Sequence, residues 1–429
     1  MADPVPSTDA AALNAHLVDG LVRHGAIRSP RIEAAFRAVP RHLFLPGVPL
    51  DEVYRDEAIP TKRRDGVPIS SSSQPAAMAT MLEQLGVEPG HRVLEIGAGT
   101  GYNAALLAHL DGPAGEVVTV DLDEDIVVAA RAHLAAAGFG PDRVRVVLGD
   151  GGEGFAERAP YDRIELTVGA WDIAPAWSDQ LAPGGLLLLP IWLRGAQKTV
   201  AFGRPTDGSG ALLESVSVTD CAFMRLRGAF AGPEAFLALD ETGTVTLGLD
   251  DRNLIAPAAA RALLDAPGPA APTGVAIRPR DLWQGLALWL GLREPGFCGL
   301  HVDGDAAAAM GAGLFTMGAG HRWTVGLLDP TAPACCLLVA GDRAQDGPER
   351  AEDHLIALAI RPHGDATVLR DRLAAHVRAW DAAGRPGSDG MRIRVSSLAD
   401  AAAPGADEIV LAKRWTRLVV SFGASSPDR

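Results

Sequence analysis

Four cysteines in 429 residues are too few to staple a chain of this size, and Cys221, Cys298, Cys335 and Cys336 form no C-x-x-C pair. A disulfide framework is excluded, and a zinc site finds no support in the spacing. A basic excess is missing too. The 39 Lys and Arg residues stand against 53 Asp and Glu, a formal charge of −14. An acidic surface repels phosphate backbones, so nucleic acid is not an expected partner. No apolar run approaches the roughly 20 residues that span a bilayer; the longest, residues 184–193, contains Pro190. Residues 1–10 carry acids and prolines where an export signal needs basic and then apolar residues. The expectation is a cytoplasmic protein with no membrane partner and no sequence signal of oligomeric state. With 48 glycines and 31 prolines, the chain stays below the roughly 25–30% share that marks disorder. It shows no internal repeat. What it has is 48% hydrophobic residues, enough for sizeable cores at a length that suggests two or three domains.

Leu13, Leu17 and Leu21 recur at helical spacing in residues 10–23, and residues 31–39 read as a second short helix ended by Pro40. Residues 45–73 are rich in Pro, Gly, Asp and Ser and read as loops. Residues 74–85 are helical again, with Pro75 in the first turn and Ser73 placed to cap it. From Arg92 the pattern alternates. Residues 92–96, 117–120, 144–148, 164–168 and 186–190 read as strands; residues 104–110, 125–137 and 177–181 read as helices. Alternation at this spacing predicts βαβ crossovers, hence an α/β fold with a largely parallel, doubly wound sheet and helices on both faces. Residues 198–204 and 212–227 read as antiparallel strands closing one edge.

After about Gly232 the character changes. Residues 265–274 form a Pro/Ala/Gly-rich connector. Helical patterns at 282–292, 354–360 and 368–380, with strands near 323–328, 335–340, 391–395 and 415–421, suggest a second, α+β unit. The expected division is 1–232, a linking segment 233–274, and a C-terminal domain 275–429.

The sharpest feature is V-L-E-I-G-A-G-T-G-Y at residues 93–102. A strand entering Gly97-Ala-Gly99-Thr-Gly101 lets a ligand approach the backbone where a Cβ would intrude. Asp121 ends the next strand, about 24 positions past Gly97, where an acid can take both hydroxyls of a ribose. A dinucleotide fingerprint wants its third glycine at the position held by Tyr102. The spacing G-x-G-x-G suits S-adenosylmethionine instead, whose cationic amino-acid end Glu95 can orient directly or through water. The other account of the same residues is a tight turn with Asp121 as a solvated cap. Asp150-Gly151, after the third strand, adds a polar turn at the same sheet edge. Asp150 there could read an adenine amino group, or could serve the turn alone.

At this point the sequence resembles the protein-L-isoaspartate O-methyltransferase family, within the Rossmann-like class I methyltransferases. The matching pieces are P-R-H-L-F-L-P (40–46), S-S-S-S-Q-P (70–75), the glycine motif (93–102), V-D (120–121), G-D-G (149–151), A-P-Y-D-R-I (159–164) and L-A-P-G-G (181–185). They run in the family's order over roughly residues 10–230. The resemblance implies S-adenosylmethionine as cofactor, S-adenosylhomocysteine as product and no metal. It implies that Ser73 lies where substrate carboxylate and methyl donor meet, and that Ser70, Ser71, Ser72, Glu95, Gly97, Gly99, Asp121, Leu122, Asp150 and Gly151 line the donor pocket. Three departures surround the acceptor. Ser71-Ser72 replace the usual Thr-Ile, Ala76 stands where His or Tyr often follows the proline, and residues 61–66, with Lys62, Arg63 and Arg64, lengthen the preceding loop.

The serine loop together with an extra domain looks like the isoaspartyl-methyltransferase homologues of actinobacterial lanthipeptide clusters, the group called the FxLD system. That likeness implies esterification of an aspartate side chain in a cyclised, lanthipeptide-like precursor peptide, with closure to aspartimide or isoaspartate following. The C-terminal domain would then help to grip the peptide. The alternatives are repair of isoaspartyl damage and a non-catalytic binding module. An aspartate with pKa near 3.9 is about 99.9% ionised at pH 7, so the nucleophile exists without a base. No His/Asp or metal constellation is required. Elsewhere, the basic run Lys62–Arg64 reads as a solvated loop, and Trp171 as packing or substrate contact. Trp283, Trp289 and Phe297 read as core, His301, His321, His354 and His363 show no metal spacing, and Cys335-Cys336 read as buried filling.

Overall fold

The structure, a computed structural model, describes residues 9–64, 66–205, 210–304, 306, 313–318, 320–341, 355–399, 404–405 and 407–422. Five parallel strands form the heart of the N-terminal half: Arg92–Ile96, Glu116–Asp121, Val144–Leu148, Tyr161–Leu166 and Leu181–Trp192. Taken in chain order as first to fifth, they lie third-second-first-fourth-fifth across the sheet. Val93, Leu94, Val117, Val118 and Ile164 are wholly buried, as strands covered by helices on both faces require. Helices Tyr102–Leu110 and Glu124–Ala136 make the first two crossovers. The order reverses between the first and fourth strands, and the crevice at their carboxyl ends is where such sheets take ligands.

Strands Gln197–Gly203 and Leu213–Asp220 extend the sheet antiparallel. The second stops at Asp220, and the residues after it, expected to continue the strand, leave the sheet and wall the crevice instead. Helix Pro175–Asp179 ends before strand Leu181–Trp192, so residue 181 begins a strand rather than closing a helix.

The expected division at 275 is not how the sheets divide. Strands Met391–Ser397, Ile409–Ala412 and Thr416–Phe422 return to the first sheet, with Val395 opposite Leu213 and Arg394 opposite Glu214. Ile393, Val395, Leu411, Leu418 and Val420 are buried in one cluster with Phe202 and Leu213. Without them strand Leu213–Asp220 would be an open edge. Pairing between strands so distant in sequence leaves no local pattern.

The second sheet runs from Ala235 to Gly364 and is antiparallel throughout. The connector is part of it: strand Ala271–Ile277 occupies one edge against Ile356–Gly364. That last strand replaces the helix expected at 354–360, and Leu358, Ala359 and Ile360 are all buried in it. Helix Thr367–Ala382 presents Leu369, Leu373, Val377 and Trp380, an i, i+4 stripe, to this sheet's core. Cys335 and Cys336 are buried in the sheet, and Phe297 is core, but Trp283 is exposed.

Ending the chain after residue 390 removes three strands from the first sheet and six buried apolar side chains, Met391 among them, from its core. Each is worth roughly 1.5–3 kcal/mol. The truncated protein is expected to melt at least roughly 10 °C lower than the full chain, or to aggregate, when followed by circular dichroism; an unchanged melting temperature would refute the shared core.

Candidate active site

The crevice is a cleft of about 480 Å³. Gly97 and Gly99 adopt φ of +101° and +50°, a backbone region that favours glycine. A Cβ on Gly97 would lie 2.6 Å from the Thr167 hydroxyl, so Gly97 must be bare for the loop to lie this close to the fourth strand. Asp121 stands at the end of the neighbouring strand. Its carboxylate accepts the Gly99 N–H at 3.2 Å and the Asp123 N–H at 3.2 Å, which fixes it facing the glycine loop. Burial raises its pKa against the pull of those two hydrogen bonds. Ser70, Ser71, Ser73, Gly97, Gly99, Asp121, Leu122 and Gly151, all expected at the site, share this cleft wall.

The cover is a β-hairpin, Ile59–Arg64 paired with Val67–Ser72, where loop was expected. Lys62 reaches from it to Asp123 at 2.9 Å and Asp125 at 2.6 Å, while Arg227 reaches the same Asp123 carboxylate at 2.9 Å from the opposite wall. The Arg227 and Lys62 hydrogen bonds pull Asp123 down to about 2. The basic run is thus not simply solvated: its first member ties the hairpin across the cleft beside Asp121.

Arg41 sets the acceptor side. It is fully buried and has no carboxylate partner among the described residues; its guanidinium donates to the carbonyls of Val53 (2.7 Å), Arg55 (3.2 Å), Glu57 (3.1 Å) and Ser73 (3.0 Å). Desolvation lowers its pKa. Ser73 is therefore held by its backbone. It does not cap the following helix: Gln74 is the cap residue and no side-chain cap bond is made there. Asp56, brought in by the 53–57 loop, accepts the Ala76 N–H at 2.8 Å instead. The Ser73 hydroxyl bonds to none of the described residues and lines the cleft. Ser72 sits deeper, 3% exposed, its hydroxyl accepting from Arg41 at 3.3 Å.

Two expected donor contacts are placed differently. Glu95 is wholly buried behind the glycine loop, accepting from Asn103 at 2.8 Å and Thr119 at 2.5 Å. Its strand register turns it into the helix-covered face rather than the cleft. Asp150 accepts the N–H groups of Gly152 at 3.0 Å and Ala229 at 2.9 Å, so it braces residues 228–229 against the sheet rather than lining the cavity. The wall those residues lead from, with Phe223, Arg225 and Arg227, had no motif to mark it. Arg41 did have one, the P-R-H-L-F-L-P segment. Trp171 packs under Lys413, which lies 4.4 Å from its ring centroid. His301 and His321 lie 3.5 Å apart on the second sheet, and His354 lies outside the described residues.

A parallel sheet with a switch point, a bare glycine loop and an acid closing the next strand together define a Rossmann-like class I methyltransferase. The comparisons are narrower. The family model Protein-L-isoaspartate(D-aspartate) O-methyltransferase matches residues 12–228, and the chain belongs to that family. It is 38% identical over 225 residues to a protein-L-isoaspartate O-methyltransferase of Hyperthermus butylicus, covering 51% of this chain and 90% of the relative. The Methanopyrus kandleri relative of the same name is 39% identical over 222 residues, 51% of this chain and 94% of its own. A solved protein-L-isoaspartate O-methyltransferase covers 89% of this chain and 96% of its own at 24% identity and TM-score 0.48. A Plasmodium falciparum structure described as a complex with S-adenosyl-L-homocysteine covers 50% and 98% at 20% identity and TM-score 0.43. The chain is an S-adenosylmethionine-dependent protein carboxyl O-methyltransferase.

The Glu95 carboxyl, with an ordinary value of 4.5, is pushed up to about 8 by burial, against the Thr119 and Asn103 hydrogen bonds. Between those values the folded chain holds a proton that the unfolded chain has released. The contribution is complete below 4.5 and is lost as pH rises toward 8. Glu95→Gln, which keeps the neutral shape, is expected to flatten the fall in melting temperature over that range. Parallel curves for the two proteins would show that Glu95 titrates normally.

Proposed function

We propose that the chain methylates the carboxylate of an isoaspartyl residue in a protein or peptide. Support comes from one observation above all: the catalytic half matches 90% of the length of a relative of that name. The site chemistry agrees with it. The cofactor, when bound, supplies a methyl group on a sulfonium centre. Asp121 is placed to take the ribose hydroxyls, and Gly97 and Gly99 let the nucleoside lie against the backbone. The acceptor carboxylate is anionic at neutral pH, so the protein need not remove a proton. Ser73, its carbonyl anchored by Arg41 and its hydroxyl unclaimed by the described residues, donates to one carboxylate oxygen and leaves the other in line for attack. Such positioning supplies roughly 7–11 kcal/mol when the geometry is right. The hairpin and the 221–227 wall flank the cleft on either side. In the resulting ester the neighbouring backbone nitrogen attacks the carbonyl carbon, the amide proton leaves with methoxide as methanol, and an imide ring closes.

A second substrate reading is an aspartate side chain in a ribosomally made, cyclised precursor peptide. The antiparallel sheet from Ala235 to Gly364 favours it, because it lies outside the matched residues 12–228 and adds surface beyond them.

Asp121→Ala is expected to weaken S-adenosylhomocysteine binding at least roughly tenfold by calorimetry, the scale of lost charge-assisted hydrogen bonds. Unchanged affinity would remove Asp121 from the site. Mass spectrometry of a short isoaspartyl peptide should show a gain of about 14 Da, the mass of an added methylene, with Ser73→Ala slowing it roughly tenfold at unchanged donor affinity. Turnover of a cyclised aspartyl peptide, with none on the isoaspartyl peptide, would transfer the function to the second reading.

A further inference from the structure

A side chamber of about 30 Å³ lies behind the glycine loop and shares Ser71, Ser73, Gly97 and Gly99 with the main cleft. That is room for one or two water-sized groups. Its polar floor is Glu165 and Asn103. Glu165 sits directly beside Glu95 in the parallel register of their strands, so both carboxylates project to the same face. Asn103 donates through the same side-chain nitrogen to both, to Glu95 at 2.8 Å and to Glu165 at 2.9 Å.

The two acids are not equivalent. Glu95 has both oxygens occupied, one by Asn103 and one by Thr119, and stays out of the chamber. Glu165 is 1% exposed, lines the chamber, and has only one oxygen engaged by the described residues. With both amide hydrogens of Asn103 given away, what it has left is its carbonyl oxygen, an acceptor. The Thr167 hydroxyl, also in the wall, donates to the Gly97 carbonyl at 2.8 Å. Among the described residues, no Lys, Arg or His lines the chamber. A buried carboxylate with one oxygen engaged and hydroxyls but no cation in the chamber wall is costly, and a compact N–H-bearing cation would offset that cost.

We propose that Glu165, assisted by Asn103, receives the α-ammonium group at the amino-acid end of the methyl donor. This rests on the donor reading of the main cleft and moves the ammonium-binding role from Glu95, the motif acid, to its neighbour on the fourth strand. Asn103 acts as the positioning residue that holds the two carboxylates apart. Burial pushes Glu165 up to about 7 without ligand, and an ammonium beside it favours the ionised form.

The test compares two ligands by calorimetry: S-adenosylhomocysteine, which carries the amino-acid end, and 5′-methylthioadenosine, which lacks it. Glu165→Gln should weaken the first roughly tenfold to hundredfold, the worth of one charge-assisted hydrogen bond, and leave the second within about twofold. Equal losses for both ligands, or no loss for either, would overturn the proposal. On the unaltered protein, the deaminated analogue of S-adenosylhomocysteine should bind at least roughly tenfold more weakly than the parent. Equal affinity there would overturn the proposal even if the variant failed to fold. Should the unaltered protein bind neither adenosine compound, the donor reading itself fails.

Discussion

Arg41 joins stretches of chain that have no other reason to meet. Wholly buried and without a carboxylate partner among the described residues, it spends its guanidinium on the carbonyls of Val53, Arg55, Glu57 and Ser73. Carbonyls left unpaired in a buried place cost roughly 1–3 kcal/mol each, so this one side chain holds the loop that delivers Asp56 to the helix N-terminus and the loop that delivers Ser73 to the cleft. The acceptor side of the site depends on it.

The donor side is organised by carboxylates in graded surroundings. Asp123 is exposed enough to be ionic, clasped by Lys62 from the hairpin and Arg227 from the opposite wall. Asp121, two residues earlier, is deeper and, among the described residues, hydrogen-bonded by backbone N–H groups alone, which leaves it able to receive hydroxyls. Glu95 and Glu165 are deeper still and share Asn103. From the surface inward the acids pass from latch, to ligand contact, to buried pair.

The C-terminal strands are part of the catalytic body. Arg414, just before the last strand, donates to the carbonyls of Ala229 at 3.1 Å and Ala231 at 3.0 Å, and Trp415 and Thr416 donate to Asp172. The stretch so braced continues directly from the 221–227 wall of the cleft. On the other side Asp220, which lines the cleft, pairs with Lys198 and accepts from Ser388 at 2.6 Å. In chain order the second sheet is inserted between the wall and the strands that support it.

The sequence alone determined the βαβ core, the glycine loop and Asp121, because those signals are local: apolar runs of strand length, glycines where φ must be positive, an acid at a strand end. It also marked Ser73, though not its surroundings. Only the tertiary structure decided that Asp56 and not Ser73 caps the helix, that Glu95 is sealed while Glu165 opens on the chamber, and that Asp150 braces a loop. It alone put strands from residues 391–422 into the first sheet. Each of those outcomes depends on partners from eight to nearly two hundred residues away, and a hydrogen bond or a strand pairing between separate elements leaves no periodicity in the chain to read.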